Sequence, residues 1–128
     1  MDLPATSDSE DSPHYGLPDL QTELRVFREE RDWAKFHDPK SLLLALVGEV
    51  GELAELFQWI PADEATEAFK VGPKHQRAAE EMSDILIYLL GLAEVLDVDL
   101  LEAARSKLAA SRERFPVEDL RGLAPEKR

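Results

Sequence analysis

The chain has 128 residues, 44% of them hydrophobic, which suits one domain with a moderate core. Its 27 acidic and 15 basic residues leave a formal net charge of −12, a balance that argues against gripping a nucleic-acid polymer through its phosphates but not against a nucleotide held through a metal ion. The absence of Cys excludes a disulfide framework and a thiolate metal site, the first residues lack the basic and apolar regions of a signal peptide, and the longest apolar run, 85–93, is too short for a bilayer; a soluble, cytoplasmic protein with no membrane partner is expected.

Residues 1–18, rich in Asp, Ser, Pro and Glu, read as a mobile tail, 19–116 as a helical domain and 117–128 as an irregular C-terminal tail. Asp19 is placed to cap a first helix running through Leu20, Leu24, Phe27 and Arg31 to about Trp33, with 28–31 facing water. Asp38 caps and Pro39 opens a second helix over 39–57, whose apolar face carries Leu42, Leu43, Leu46, Val50, Leu53 and Phe57. Glu49 and Glu52 sit at the edge of that face. Gly48 and Gly51 lie nearer the other side, and each costs about 1 kcal/mol relative to Ala. Close approach of another helix, as in a dimer, accounts for them better than chance.

Residues 59–61 end this helix, and 63–69 allow one or two helical turns. Pro73 opens a third long helix over 73–96 with an apolar stripe of Ala78, Met82, Ile85, Leu89, Ala93 and Leu96. A second stripe holds Arg77, Glu81, Asp84 and Tyr88. Asp99 and Glu102 form a capping pair for a fourth helix carrying Leu100, Leu101, Ala104 and Leu108, and Phe115-Pro116 stops it. No internal repeat and no strand is apparent, so the fold class is all-α.

The chemistry centres on carboxylates. Glu49 and Glu52 are three apart, as are Glu81 and Asp84, so each helix presents two acids on one face beside apolar neighbours. A solvated charge face explains most such pairs. Four acids brought together beside a core would instead repel strongly without a cation. Mg²⁺ takes oxygen ligands and keeps waters for a phosphate substrate, which points to a Mg²⁺-dependent enzyme acting on a nucleoside triphosphate. A di-iron bundle would need Glu-x-x-His pairs, and none of the three His residues has a Glu three before it. Trp33, Phe36, Trp59 and Tyr88 read first as core residues, yet Trp33 and Trp59 sit at helix ends where a base could stack. His37 reads as a surface or capping residue. Lys107 and Arg112 read as solvated, or as counter-charges if a triphosphate binds near the acids.

Trp33 with Phe36-His37, the block from Leu42 through Gly48-Glu-Val-Gly-Glu-Leu-Ala-Glu55 to Trp59, and Glu81-Met-Ser-Asp84 with Tyr88 resemble the MazG-type all-α nucleotide pyrophosphohydrolases, and within them the dCTP pyrophosphatases. The resemblance covers about residues 20–116. It implies a four-helix bundle assembling as a homo-oligomer, a dimer or dimer of dimers. It implies Mg²⁺-dependent hydrolysis of a deoxynucleoside triphosphate, dCTP or modified dCTP, to monophosphate and pyrophosphate, a nucleotide-pool-cleaning role. By that resemblance Glu49, Glu52, Glu81 and Asp84 match the metal ligands. Trp33, His37, Trp59 and Tyr88 match the nucleotide pocket, and Lys107 the phosphate-side lysine of a Lys-x-x-x-Asn motif. The chain departs from the family at Ser111, where the Asn is expected, and at Phe115-Pro116, where Tyr-Pro often follows. A water held at the acids would attack the α-phosphorus, with Glu52 and Glu55 as candidates to take its proton. The alternatives are the same chemistry with dUTP or dTTP, or a non-catalytic helical oligomer that scaffolds partners.

Overall fold

The computed structural model describes residues 14–125, among which there is no strand. Residues 1–13 of the expected N-terminal tail and 126–128 of the C-terminal one lie outside the described residues. The chain divides into two compact units, one ending at Asp97 and one beginning at Val98.

In the first unit, α1 spans Leu17–Glu30. It begins before the Asp19 expected to cap it. Gly16 is the N-cap, and Asp19, inside the first turn, accepts the Gly16 N–H at 2.8 Å while its own N–H returns to the Gly16 carbonyl at 3.1 Å. The helix also stops short of Trp33, because Asp32 turns to a left-handed φ of 53°. The Trp33 N–H then reaches the Arg28 carbonyl at 3.0 Å and the Asp32 N–H reaches that of Glu29 at 3.1 Å. These two bonds make a Schellman motif, and the hydrophobic contact that accompanies it is the Trp33 ring set edge-on to Phe27 at 5.6 Å. A 3₁₀ turn over Ala34–Phe36 leads to the next helix.

Helix α2 spans Pro39–Phe57, matching the sequence expectation. The Asp38 carboxylate accepts the Ser41 N–H at 2.9 Å and its hydroxyl at 2.6 Å, and these bonds hold the Asp38 carboxyl below the usual range. Helix α3 spans Ala62–Phe69, and its Phe69 ring stacks on Phe57 with centroids 3.9 Å apart. Helix α4 spans Gly72–Val95, entered through a φ of 79° at Gly72 that favours glycine.

Helix α4 is the common partner, with α1, α2 and α3 all packed on it and α2 most extensively. Leu42 of α2 and Ala78, Leu90 and Ala93 of α4 form the buried core. The expected α4 stripe is only partly right: Met82 and Leu96 are 59% and 53% exposed, whereas Leu90 is 1% exposed. Because α4 meets several helices, its buried side shifts along its length, from Ala78 and Glu81 to Leu90, Gly91 and Ala93. A forked pair from Arg25 to Glu94, at 2.5 and 3.1 Å, ties α1 to the end of α4. On α2, by contrast, Leu43, Leu44, Val47 and Val50 stay 47–60% exposed within a single chain.

The second unit holds α5, Leu100–Arg114, capped by Asp99 accepting the Glu102 N–H at 3.1 Å. Pro116 then opens a single turn, α6, Val117–Leu120, where irregular chain was expected. No helix among the described residues is long and apolar enough to cross a membrane.

Truncating Leu90 to Ala removes the most buried large side chain and is expected to cost about 2–5 kcal/mol. The same truncation at Met82 should cost less than about 1 kcal/mol. Urea denaturation of both variants reads the contrast.

Candidate functional site

The packing of α2 on α4 brings three of the four expected acids together. One carboxylate oxygen each of Glu49, Glu52 and Glu81 lies within 4.8 Å of the other two. Glu49 and Glu52 share a face of α2 because they are one helical turn apart, and Glu81 is buried at 8% exposure on α4. Oε2 of Glu49 and Oε2 of Glu81 are buried without a hydrogen-bond partner among the described residues. The one basic side chain paired with the cluster among the described residues is Arg77, whose Nη2 stands 3.9 Å from Glu81 Oε1, too far for a hydrogen bond. The carboxyl of Glu49 is pushed up to about 7, first by burial, then by sharing a proton with Glu81 and by the charge of Glu52.

Buried carboxylate oxygens facing one another with no donor between them are costly unless protonated or bridged by a cation. The donor set is all oxygen, which fits a hard divalent ion such as Mg²⁺. Asp84 stands outside the group of three, but its charge adds to the upward push on Glu49. Glu55, one turn beyond Glu52 on α2, is exposed and not part of the cluster.

Asp84 also lines a cavity of about 310 Å³ between α1, the 3₁₀ turn, the start of α2 and α4. That volume is at the lower end of ligand pockets, roughly 300–1,000 Å³. Its apolar walls come from Leu24, Phe27, Leu42 and Ile87, and its polar groups from Arg28, His37, Asp84 and Tyr88, with Trp33 at one side. Trp33, His37 and Tyr88 are thus gathered around one space. Nδ1 of His37 is buried without a partner among the described residues. Burial and then the charge of Arg28 hold its imidazole below the ordinary histidine range.

Not every expected residue is gathered there. Trp59, in the turn after α2, is 86% exposed and is not among the residues lining this cavity. Lys107 and Ser111 belong to the second unit, where the Ser111 hydroxyl donates to the Lys107 carbonyl at 2.9 Å. Arg28, expected to face water, is instead half-buried in the cavity wall. The signal for it was helical phase: it follows Leu24 by one turn, on the side that packs against α4.

Residues 45–126 match the MazG-like family. The chain is 50% identical over 115 residues to the mouse protein named dCTP pyrophosphatase 1, covering 88% of this chain and 66% of that protein. It is 50% identical over 111 residues to the human protein of the same name, covering 82% of this chain and 62% of that one. The chain therefore spans somewhat less than two thirds of the length of these relatives. Its fold is similar to the crystal structure of a pyrophosphatase from Archaeoglobus fulgidus, with a TM-score of 0.73 and 36% identity, over 80% of this chain and 94% of that one. With the family match spanning more than half of its residues, and an all-α structure to go with it, the chain belongs to the MazG-like family.

Proposed function

We propose that this chain is a Mg²⁺-dependent nucleoside triphosphate pyrophosphohydrolase that converts dCTP, or a modified dCTP, to the monophosphate and pyrophosphate. The observation that carries this reading is the acid cluster with two unpartnered buried oxygens, joined through Asp84 to a ligand-sized cavity. The names of the mouse and human relatives supply the favoured base.

Glu49, Glu52, Glu81 and Asp84 would hold the metal. Bound there, Mg²⁺ supplies charge to offset the build-up on phosphate oxygens in the transition state. The chain's own residues do the rest. Trp33, Tyr88 and His37 enclose the base; Trp59, Lys107 and Ser111 are assigned to the substrate by the family resemblance alone. Ser111 is shorter than the Asn of the family pattern and carries a single hydroxyl, which donates to the Lys107 carbonyl. Glu52, the exposed member of the cluster, or Glu55, exposed one turn beyond it on α2, takes the proton of the attacking water. A cytoplasmic, nucleotide-pool-cleaning role suits such a reaction.

The active form is a homo-oligomer, dimer or tetramer. Leu44, Val47, Gly48 and Gly51 make one stripe along α2, with Leu44 60% and Val47 59% exposed. A Cβ at Gly48 or Gly51 would meet nothing within 4 Å among the described residues, so none of these requires glycine there. A second copy approaching along this stripe explains both the glycines and the exposed side chains.

Four measurements test this reading. A panel of dNTPs and NTPs, with and without Mg²⁺, should give Mg²⁺-dependent pyrophosphate release strongest with dCTP. Glu49→Ala and Glu81→Ala should each lose on the order of 10²-fold or more in kcat while keeping the helical fold. A preference for dUTP or dTTP would move the base assignment, and no turnover at all would favour a scaffold. Val47→Glu should shift sedimentation towards the monomer; an unchanged oligomer would place the interface elsewhere. The pH dependence has a defined sign. Without metal the folded state keeps the Glu49 proton up to about pH 7, against 4.5 for an ordinary glutamate. The folded state then binds more protons in that interval, so stability falls as pH rises through it. Glu49→Gln should flatten this fall in thermal melts, and Mg²⁺ should stabilise more as pH rises because it binds the ionised acids.

A further inference from the structure

We infer that Arg28, which lines the cavity and whose guanidinium fork lies against Gly91, reads the base by donating to the adjacent acceptors O2 and N3 of cytosine. This inference rests on the cavity being the base site of the proposed pyrophosphohydrolase.

Arg28 differs from its neighbours on α1. Arg25 is engaged by Glu94, and Arg31 by the Phe27 carbonyl at 3.0 Å and the Phe27 ring at 3.8 Å. The Arg28 guanidinium makes no hydrogen bond or ion pair to any described residue, although it is half-buried and lines the cavity. Burial lowers its proton affinity and Glu94 partly restores it, yet a guanidinium stays charged in proteins. Five N–H donors in a partly dry wall are costly unless something accepts from them.

Glycine at 91 makes this seat available. A Cβ there would lie 2.8 Å from Nη2, 3.3 Å from Cζ and 3.6 Å from Nη1 of Arg28, so any side chain would displace the fork. The position along α4 is also telling. Gly91 is seven residues beyond Asp84, which is roughly 10 Å at 1.5 Å per residue. An α-phosphate at the acids thus leaves the sugar's length before the base reaches Arg28, and puts the fork too far along to serve the phosphate under attack.

The fork selects by donor and acceptor pattern. Two parallel N–H groups match two adjacent acceptors. Cytosine offers O2 beside N3. Uracil and thymine carry N–H at position 3 between two carbonyls, so one arm of the fork would meet a donor. A substituent at position 5 of cytosine leaves the O2 and N3 edge untouched. Guanine presents a comparable pair at O6 and N7, and adenine does not.

The test compares kcat/KM for dCTP and dUTP, which differ only at positions 3 and 4, in the wild-type chain, Arg28→Met and Arg28→Lys. Methionine keeps the apolar stem and lysine keeps the charge, but neither has the fork. Both variants should lower the dCTP-to-dUTP ratio by roughly 5- to 150-fold, chiefly through dCTP, with the melting temperature retained. Quenching of Trp fluorescence by dCMP and dUMP should lose the same preference. A ratio unchanged in both variants, or equal losses on both nucleotides, overturns the role of Arg28 while leaving the pyrophosphohydrolase intact. A wild-type chain that favours dUTP overturns it too. A wild-type chain that hydrolyses no nucleotide removes the enzymatic reading, and this inference with it.

Discussion

Where α2 packs on α4, acids of like charge are forced together at the edge of the core. Glu49 and Glu81 place oxygens that have no donor to meet, and Arg77 is too distant to neutralise them. Such an arrangement costs free energy in the isolated chain, and the rise in proton affinity at Glu49 is the sign of that cost. Apolar packing on the same helix pair opposes the repulsion: Leu42 from α2 and Ala78, Leu90 and Ala93 from α4 are the residues buried most completely. The rest of the first unit is arranged around α4, which supplies an acid to the cluster, a wall to the cavity and a seat for Arg28.

Cluster and cavity adjoin at Asp84, which lines the cavity and adds its charge to the cluster. It follows Glu81 by one turn, so its charge reaches the acids while its side chain lines the pocket. Farther along the same helix come Tyr88 and then Gly91. The acids, the aromatic Tyr88 and Gly91 thus follow one another along α4 by helical rise, the order that the proposed nucleotide site uses.

Much of this was readable before any coordinates, for reasons that differ from residue to residue. The limits of α2 followed from Asp38-Pro39, where a capping acid precedes a residue preorganised for the first turn. The acids were visible through spacing, since three residues on a helix is a contact distance. Other features depend on groups remote in sequence or on backbone angles. The early end of α1 comes from the left-handed turn at Asp32, and an Asp in a helical run does not announce one. Leu90 outranks Met82 in burial because several helices meet α4 on different sides. Arg28 is drawn inward by the absence of a side chain at Gly91. Trp59 shares the aromatic character of Trp33, yet it lies outside the cavity lining and is largely exposed.

The Schellman turn at the end of α1 has a consequence for how Trp33 meets a ligand. The tryptophan is fixed by its own main-chain bond to Arg28 and by its ring against Phe27. Its orientation therefore does not depend on any bound molecule. Much of the rotational freedom a surface tryptophan would lose on capture has been given up during folding. A flat ring arriving at this wall meets a surface already immobilised, so the entropic cost of ordering this side of the cavity falls on chain folding and is not charged again at each encounter.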